Sequence, residues 1–268
     1  RFFSSFFWSS DLQAFIQYSC AVISNAQYLG VMVYGQILFT ISDGDKFSDK
    51  LKEIISFGDN LLDDSVSDFL NSFAMTTIIL YLMLLVLLIV FIALLAYKKK
   101  KISDTFRKIA NSFFLLHLSF LSLIVTVYFI GNLTCRTQFL YLGSTTLSSN
   151  AALVIIHTFI IIVNLMIGLV AASLCFDPFR SHNDFSSHTS HDQTVSYLYK
   201  SIAGILLGTC NMGEFTKWLF ALITLLFSAT RGYILTVQWP YYHQRGMKAN
   251  LIPTYIGVLI GLINLIGQ

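Results

Sequence analysis

Charge is what this chain has least of. Charged residues make up 12% of its 268 residues, about half of the roughly 25% usual in a soluble domain. The net charge of +3 is too small to be a nucleic-acid signature, and no nucleic-acid partner is expected. Catalytic patterns are missing as well: no phosphate loop, no triad and no paired carboxylates occur, so no enzyme activity and no cofactor are expected. The four cysteines, at positions 20, 135, 175 and 210, form neither a CxxC pair nor a metal spacing. Cys20, Cys175 and Cys210 fall in or beside apolar segments, where a thiol acts as a small hydrophobe. There are no internal repeats, no low-complexity tract and no signal peptide. The chain opens on Arg1 rather than Met and closes on the apolar Leu251 to Gln268, which reads as a piece of a longer protein.

Long apolar runs are abundant. Hydrophobic residues reach 55% and the mean hydropathy is +0.69. Phe73 to Ala96 carries no charge and ends against Tyr97-Lys98-Lys99-Lys100-Lys101. About 20 apolar residues at about 1.5 Å each cross a bilayer core of about 30 Å, so this is a membrane span. Ile109 to Ile130, Ala151 to Cys175, Trp218 to Thr236 and Leu251 to Ile266 repeat the pattern. Tyr197 to Met212 is shorter, with Lys200 at one end and Gly204 and Gly208 inside, and reads as a tilted span, a re-entrant segment or an interfacial helix. Leu12 to Ile41 is uncharged but carries Gln13, Gln17, Asn25, Gln27 and Gln36, so as a helix it wants protein neighbours more than lipid.

The expected class is therefore all-α, a polytopic transmembrane helical bundle of six or seven spans. It divides into an N-terminal polar-studded helix with an acidic extramembrane segment (1–72), central transmembrane hairpins (73–175), a His- and Ser-rich loop (176–196) and C-terminal transmembrane segments (197–268). The acidic segment 43–68 holds eight acids against three lysines, with a short amphipathic helix expected near Phe47 to Phe57. Gly131 to Asn150 reads as a polar loop. Pro240 and Gly246 mark PYYHQRGMKAN as a connector.

Basic residues orient the spans. Six of the seventeen Lys and Arg lie between Lys98 and Lys108, which places that turn on the cytoplasmic side of an integral membrane protein. With seven alternating spans, twelve basic residues fall inside and five outside. Asn132-Leu133-Thr134 is then an outside glycosylation acceptor, close to Cys135. Arg231 lies near the end of its span, where a long side chain snorkels to the interface.

Three histidines, His182, His188 and His191, stand within ten residues beside Asp184 and Asp192. Imidazoles and carboxylates are zinc-type ligands, but a helical i, i+4 pair is absent and the serines make a solvated, phosphorylatable loop the simpler reading. His117 and His157, inside spans, read as interhelical hydrogen-bonders. The middles of the strong spans hold no acid, Lys or Arg, which argues against a proton- or cation-coupled carrier. A channel lined by uncharged polar groups stays open, with Gln13, Gln17, Asn25, Gln27, His157 and Asn164 as its lining.

From Leu133 onward the order of features is distinctive. A cysteine follows a span (FIGNLTCRTQFLYLG), a histidine-bearing span runs into Phe176-Asp177-Pro178, and a short span and a Trp-led span lead to Pro240-Tyr241-Tyr242-His243. This resembles the multi-pass membrane region of ciliate PAS-domain S-box and tiny macrocysts protein B-like proteins, in which an FEP-type turn and a PYYN-type motif hold these places. The second outside cysteine of that family is missing here, and these residues contain no PAS domain. The resemblance implies a sensory setting, in the plasma or ciliary membrane.

The leading expectation is a non-enzymatic module of a larger sensory or scaffolding protein. Its partners are the lipid bilayer and either other membrane chains or further copies of itself; the sequence ranks no small-molecule ligand. The alternatives are a channel or carrier, and an accessory subunit of an organellar membrane complex. Trp8, Trp218 and Trp239 serve as interfacial anchors, and Gly257 and Gly261 as a GxxxG surface for close helix approach, within the chain or between copies.

Overall fold

The computed structural model describes residues 11–41, 64–98, 103–134, 151–174, 187–208 and 214–266. These residues form α1 (Asp11–Ile41), α2 (Asp64–Tyr97), α3 (Asp104–Leu116), α4 (Ser122–Thr134), α5 (Ala151–Leu174), α6 (His191–Gly208), α7 (Glu214–Tyr233) and α8 (Gln244–Ile266). A π-helical turn, His117–Leu121, joins α3 to α4 without a break, and a second, Ile234–Gln238, extends α7. Among the described residues the β-structure is one isolated bridge, Ser187 with Tyr241. The protein is an all-α membrane bundle.

Five segments are long and apolar enough to cross a bilayer: Thr76–Tyr97, Ser112–Ile130, Val154–Ser173, Phe215–Gln238 and Gln244–Ile266. The two helices outside that set, α1 and α6, are the polar ones, and they run through the bundle beside the others. Asn25 meets Arg231, Tyr28 meets Ser228, and a Cβ on Gly35 would strike the Phe220 ring, so α1 runs antiparallel to α7. Asn250 meets Arg231, and Gly261 lies against Leu225, which makes α8 antiparallel to α7 as well. Asp192 with Arg231 and Tyr199 with Thr224 give α6 the same relation to α7. Lys200 on Leu118 and Gly204 on Leu123 set α6 parallel to the α3–α4 rod. Backbone bonds inside each helix pair most of its peptide groups, as lipid demands.

Several helices extend beyond the runs expected for them. α2 begins at Asp64, taking in the end of the acidic segment, and α3 begins at Asp104, so Asp104 to Lys108 are helical rather than part of the basic turn. Ser103 starts α3 by accepting the Phe106 N–H at 3.3 Å, which is the N-cap bond. α8 starts at Gln244 and runs through Gly246 and Pro253. The breaker property expected of Gly246 is overridden by packing, because Gly246 and Met247 are both buried. The amphipathic helix expected near Phe47 to Phe57 lies outside the described residues.

Two large apolar cores hold the bundle, beside a small third one of Leu235, Tyr241 and Met247. One joins α2, the α3–α4 rod and α5 through Leu85, Phe114, Phe129, Ile161 and Ala172; the other joins α1, α6 and α7 through Tyr28, Met32, Tyr199, Ala203 and Phe220. α2 is peripheral and presents Leu80, Leu84, Leu87, Phe91 and Leu94 outward, a face suited to acyl chains. Gly257 and Gly261 settle their alternative: their bare faces pack within the chain, on Ser228 and Met32 and on the Leu225 backbone.

Candidate functional site: a buried charged network

The π turn in the middle of the α3–α4 rod sets up the first part of the site. In it the Ser122 N–H reaches back to the His117 carbonyl, and carbonyls along this stretch receive side chains from three other helices. Leu118 O accepts from Lys200 Nζ at 2.9 Å, Phe120 O from Gln27 Nε2 at 3.0 Å and Ser122 O from Asn164 Nδ2 at 3.2 Å. Bulges of this kind often lie at functional positions. Asn164 also donates to Thr126 Oγ1 at 3.0 Å, and the Tyr197 hydroxyl donates to Leu165 O at 3.1 Å. Together these polar bonds join α1, α5 and α6 to the rod.

The second part is an ion pair at one end of the bundle. Arg231 and Asp192 are about 2% and 1% exposed. Arg231 Nε donates to Asp192 Oδ1 at 2.7 Å, and Nη2 donates to Asp192 Oδ2 at 3.3 Å and to Asn250 Oδ1 at 2.9 Å, with Asn25 Oδ1 at 3.4 Å. The Tyr241 hydroxyl donates to Asp192 Oδ2 at 2.6 Å. The guanidinium stacks 4.7 Å over the Tyr28 ring, a favourable cation–π placement. One arginine thus engages α1, α6 and α8, and its carboxylate partner holds the segment that follows α7.

That segment closes the end. After the second π turn Trp239 adopts φ 50° and ψ 59°, a left-handed conformation that is unusual for a large side chain. The chain then reverses so that the Pro240 carbonyl accepts the His188 N–H at 2.9 Å. His191 Nδ1 and Gln238 Oε1 are 2.9 Å apart, and the His188 ring lies 5.6 Å from that of Tyr242.

Arg231 does not snorkel, contrary to the expectation from its place near a span end. The bundle offers it a carboxylate, two amide oxygens and an aromatic face, which replace the water it would otherwise seek. Asp192 opens the first turn of α6, inside the stretch expected to be a loop. Lys200 is likewise 4% exposed, with its Nζ on Ser24 Oγ and Leu118 O, both at 2.9 Å.

Of the residues grouped for a metal, His182 and Asp184 lie outside the described residues, while His188, His191 and Asp192 have the separate partners just given. No three His, Cys, Asp or Glu side chains converge among the described residues. Of the residues grouped as a pore lining, the side chains of Gln13 and Gln17 lie outside the description. Asn25 faces α7 and Gln27 the π turn; Asn164 faces α4, as does His157, whose ring is 5.1 Å from Phe129. The Asn132 side chain and Cys135 also lie outside the described residues, and Cys20 is a buried free thiol. Sequence reasoning missed the network of Asp192, Arg231, Asn250 and Tyr241. The signal was present in Arg231 itself, since a cation within a span marks a site by default.

Fold and site together define an integral, all-helical membrane protein with a buried ion pair. No family model, characterised protein or solved structure matches the chain.

Proposed function

We propose that the chain is a non-enzymatic multi-pass membrane module that serves a sensory or scaffolding role. The observation that carries this reading is how span polar groups are used: Asn25, Gln27, Tyr28, Asn164, Tyr197 and Arg231 bond from helix to helix. Side chains tied to neighbouring helices fix their packing, whereas a conducting path needs such groups turned to water. The resemblance to ciliate PAS-domain proteins supports the sensory half of the reading. The helix directions fit seven alternating passes. The end bearing His191, Gln238 and Gln244 is also the end at which α3 begins, and the basic cluster before it supports a cytoplasmic position for that end.

A second reading, a carrier, draws support from one observation. Asp192, Lys200 and Arg231 are ionisable and buried within the bundle, where such groups often mark a substrate or ion route.

Cysteine accessibility in reconstituted vesicles separates the two. In a background lacking the native cysteines, Asn25→Cys, His157→Cys and Asn164→Cys are treated from each side with a charged, membrane-impermeant thiol reagent. The module reading expects no labelling from either side and no ion conductance in planar bilayers. Labelling of the same position from both sides, or reproducible conductance, favours the transport reading and sinks the first.

A further inference from the structure

Charge on α8 is confined to one end and to one sign. Arg245 and Lys248 are its charged residues, and from Trp239 to Gln268 the sequence holds no Asp or Glu. Both are exposed, whereas Gly246, Met247 and Asn250 beside them are buried, so packing fixes which way the pair faces. Ile252, Tyr255, Leu259 and Ile263 continue the line at intervals of three or four residues, and all are exposed. Such intervals keep residues on one face of a helix, so the basic pair heads an outward apolar stripe. Among the described side chains no other exposed stripe is built this way. Lys200, Lys217 and Arg231 are buried, and Lys98 follows the last residue of α2.

The dimensions match one leaflet. At about 1.5 Å per residue, Tyr255 lies about 10 Å and Leu259 about 16 Å beyond Lys248, and half of a bilayer core of about 30 Å is about 15 Å. Residues three apart on a helix hold their Cβ atoms about 5–6 Å apart, so both cations reach a single phosphodiester. Asp192, the acid that opens α6 at this end, is buried and engaged by Arg231 and the Tyr241 hydroxyl, so it does not neutralise them. We propose that Arg245 and Lys248, with Ile252, Tyr255 and Leu259, form a binding site for an anionic glycerophospholipid of the leaflet on that side. Its phosphate lies at the basic pair and an acyl chain runs along the stripe. A zwitterionic headgroup brings no net charge to meet two cations. A second copy, related by a two-fold axis along the membrane normal, would set two such pairs against each other, and like charges repel. The site goes beyond the module reading and is independent of it, since a lipid on the outer face leaves the helix-to-helix bonds unchanged.

The test reads the lipid beside a single tryptophan. In the full chain with Trp8, Trp218 and Trp239 replaced by Phe, Tyr255→Trp reports the proposed site, and Ile263→Trp reports the opposite leaflet on the same face. Each is reconstituted in phosphatidylcholine with a small fraction of lipid carrying brominated acyl chains, which quench a tryptophan they touch. The bromine is on phosphatidylserine in one series and on phosphatidylcholine in the other. Each cation near the surface is worth about fivefold in anionic-lipid affinity, so Tyr255→Trp should prefer phosphatidylserine by about fivefold or more, and Ile263→Trp should show no preference. Arg245→Gln with Lys248→Gln should abolish the preference. Equal quenching of Tyr255→Trp by the two lipids overturns the proposal, as does an equal preference at Ile263→Trp, which is general enrichment rather than a site. A preference that survives the double replacement also overturns it, because the lipid is then held elsewhere. Quenching by neither lipid overturns it too and shows the face covered by protein. Should the background without native tryptophans not fold, native mass spectrometry decides between the unaltered chain and Arg245→Gln with Lys248→Gln: loss of one retained phosphatidylserine upholds the site, and equal lipid counts overturn it.

Discussion

Arg231 Nε and Asp192 Oδ1 lie 2.7 Å apart, with both side chains almost fully buried, and join the last turns of α7 to the first turn of α6. Removing one member leaves the other charged and unpaired in the interior. Asp192→Asn should therefore lower unfolding free energy by about 3–5 kcal/mol. Denaturant titration in bicelles measures it. The double replacement Asp192→Leu with Arg231→Met removes both charges and should recover most of that loss, because a buried pair often does no better than apolar groups of similar volume. A double variant as unstable as the sum of the singles would show no coupling between the two side chains, so that each stabilises the bundle through its other partners rather than through the pair.

Gly261 stands where α8 crosses α7, and a Cβ there would come within 2.9 Å of the Leu225 backbone. Backbone cannot rotate away as a side-chain tip can. Gly261→Ala should force the helices apart and cost about 1–3 kcal/mol, while Gly30→Ala, with open space around its Cβ position, should cost nothing measurable or add slightly to helix stability. Parallel unfolding curves of the two variants check the contrast.

Asn164 ties α5 to α4 through the Thr126 hydroxyl and the Ser122 carbonyl. Interhelical hydrogen bonds within membranes average about 0.6 kcal/mol and rarely pass about 1.7 kcal/mol. A double-mutant cycle of Asn164→Leu and Thr126→Val should return a coupling in that range. A coupling of zero would mean that the Ser122 carbonyl alone holds the amide.

How much of this was legible in the residues follows from what kind of signal each part gives. α2 and α5 were evident because uninterrupted apolar runs need no partner to be recognised. The polar character of Leu12 to Ile41 correctly announced a helix that wants protein neighbours, and Asn25, Gln27 and Tyr28 now have them. The π turn at His117 left no trace, since its effect is to redirect carbonyls, which every residue has. Arg231 was visible, yet its partner stands thirty-nine residues earlier in sequence within a stretch whose Ser and His content reads as loop. Apolar periodicity gives α6 no clear start, because its first turn is polar and the apolar residues begin only near Val195. The helix begins there because Asp192 and His191 are held by the chain beyond α7, a contact that local pattern does not encode.

The last expectation concerns the closed end. The Tyr241 hydroxyl donates to Asp192 Oδ2 at 2.6 Å, and on either side of it the Pro240 carbonyl and the Ser187 bridge fasten the strand-like segment before α6 to the one after α7. Tyr241→Phe removes one oxygen and leaves the ring in place. A hydrogen bond to a charged group is worth about 1.5–3 kcal/mol, so global stability should fall by about that much. A local effect should accompany it: amide exchange at His188 should accelerate, because its N–H bond to Pro240 depends on Tyr241 staying seated. Exchange within α5, which lies away from this closure, should follow only the global change. If His188 exchanges as slowly in Tyr241→Phe as in the unaltered chain while stability drops, the hydroxyl supports the ion pair but does not fasten the closure. Acceleration confined to residues 187–192 and 238–242 would show that Tyr241 couples the buried pair to the surface of the bundle.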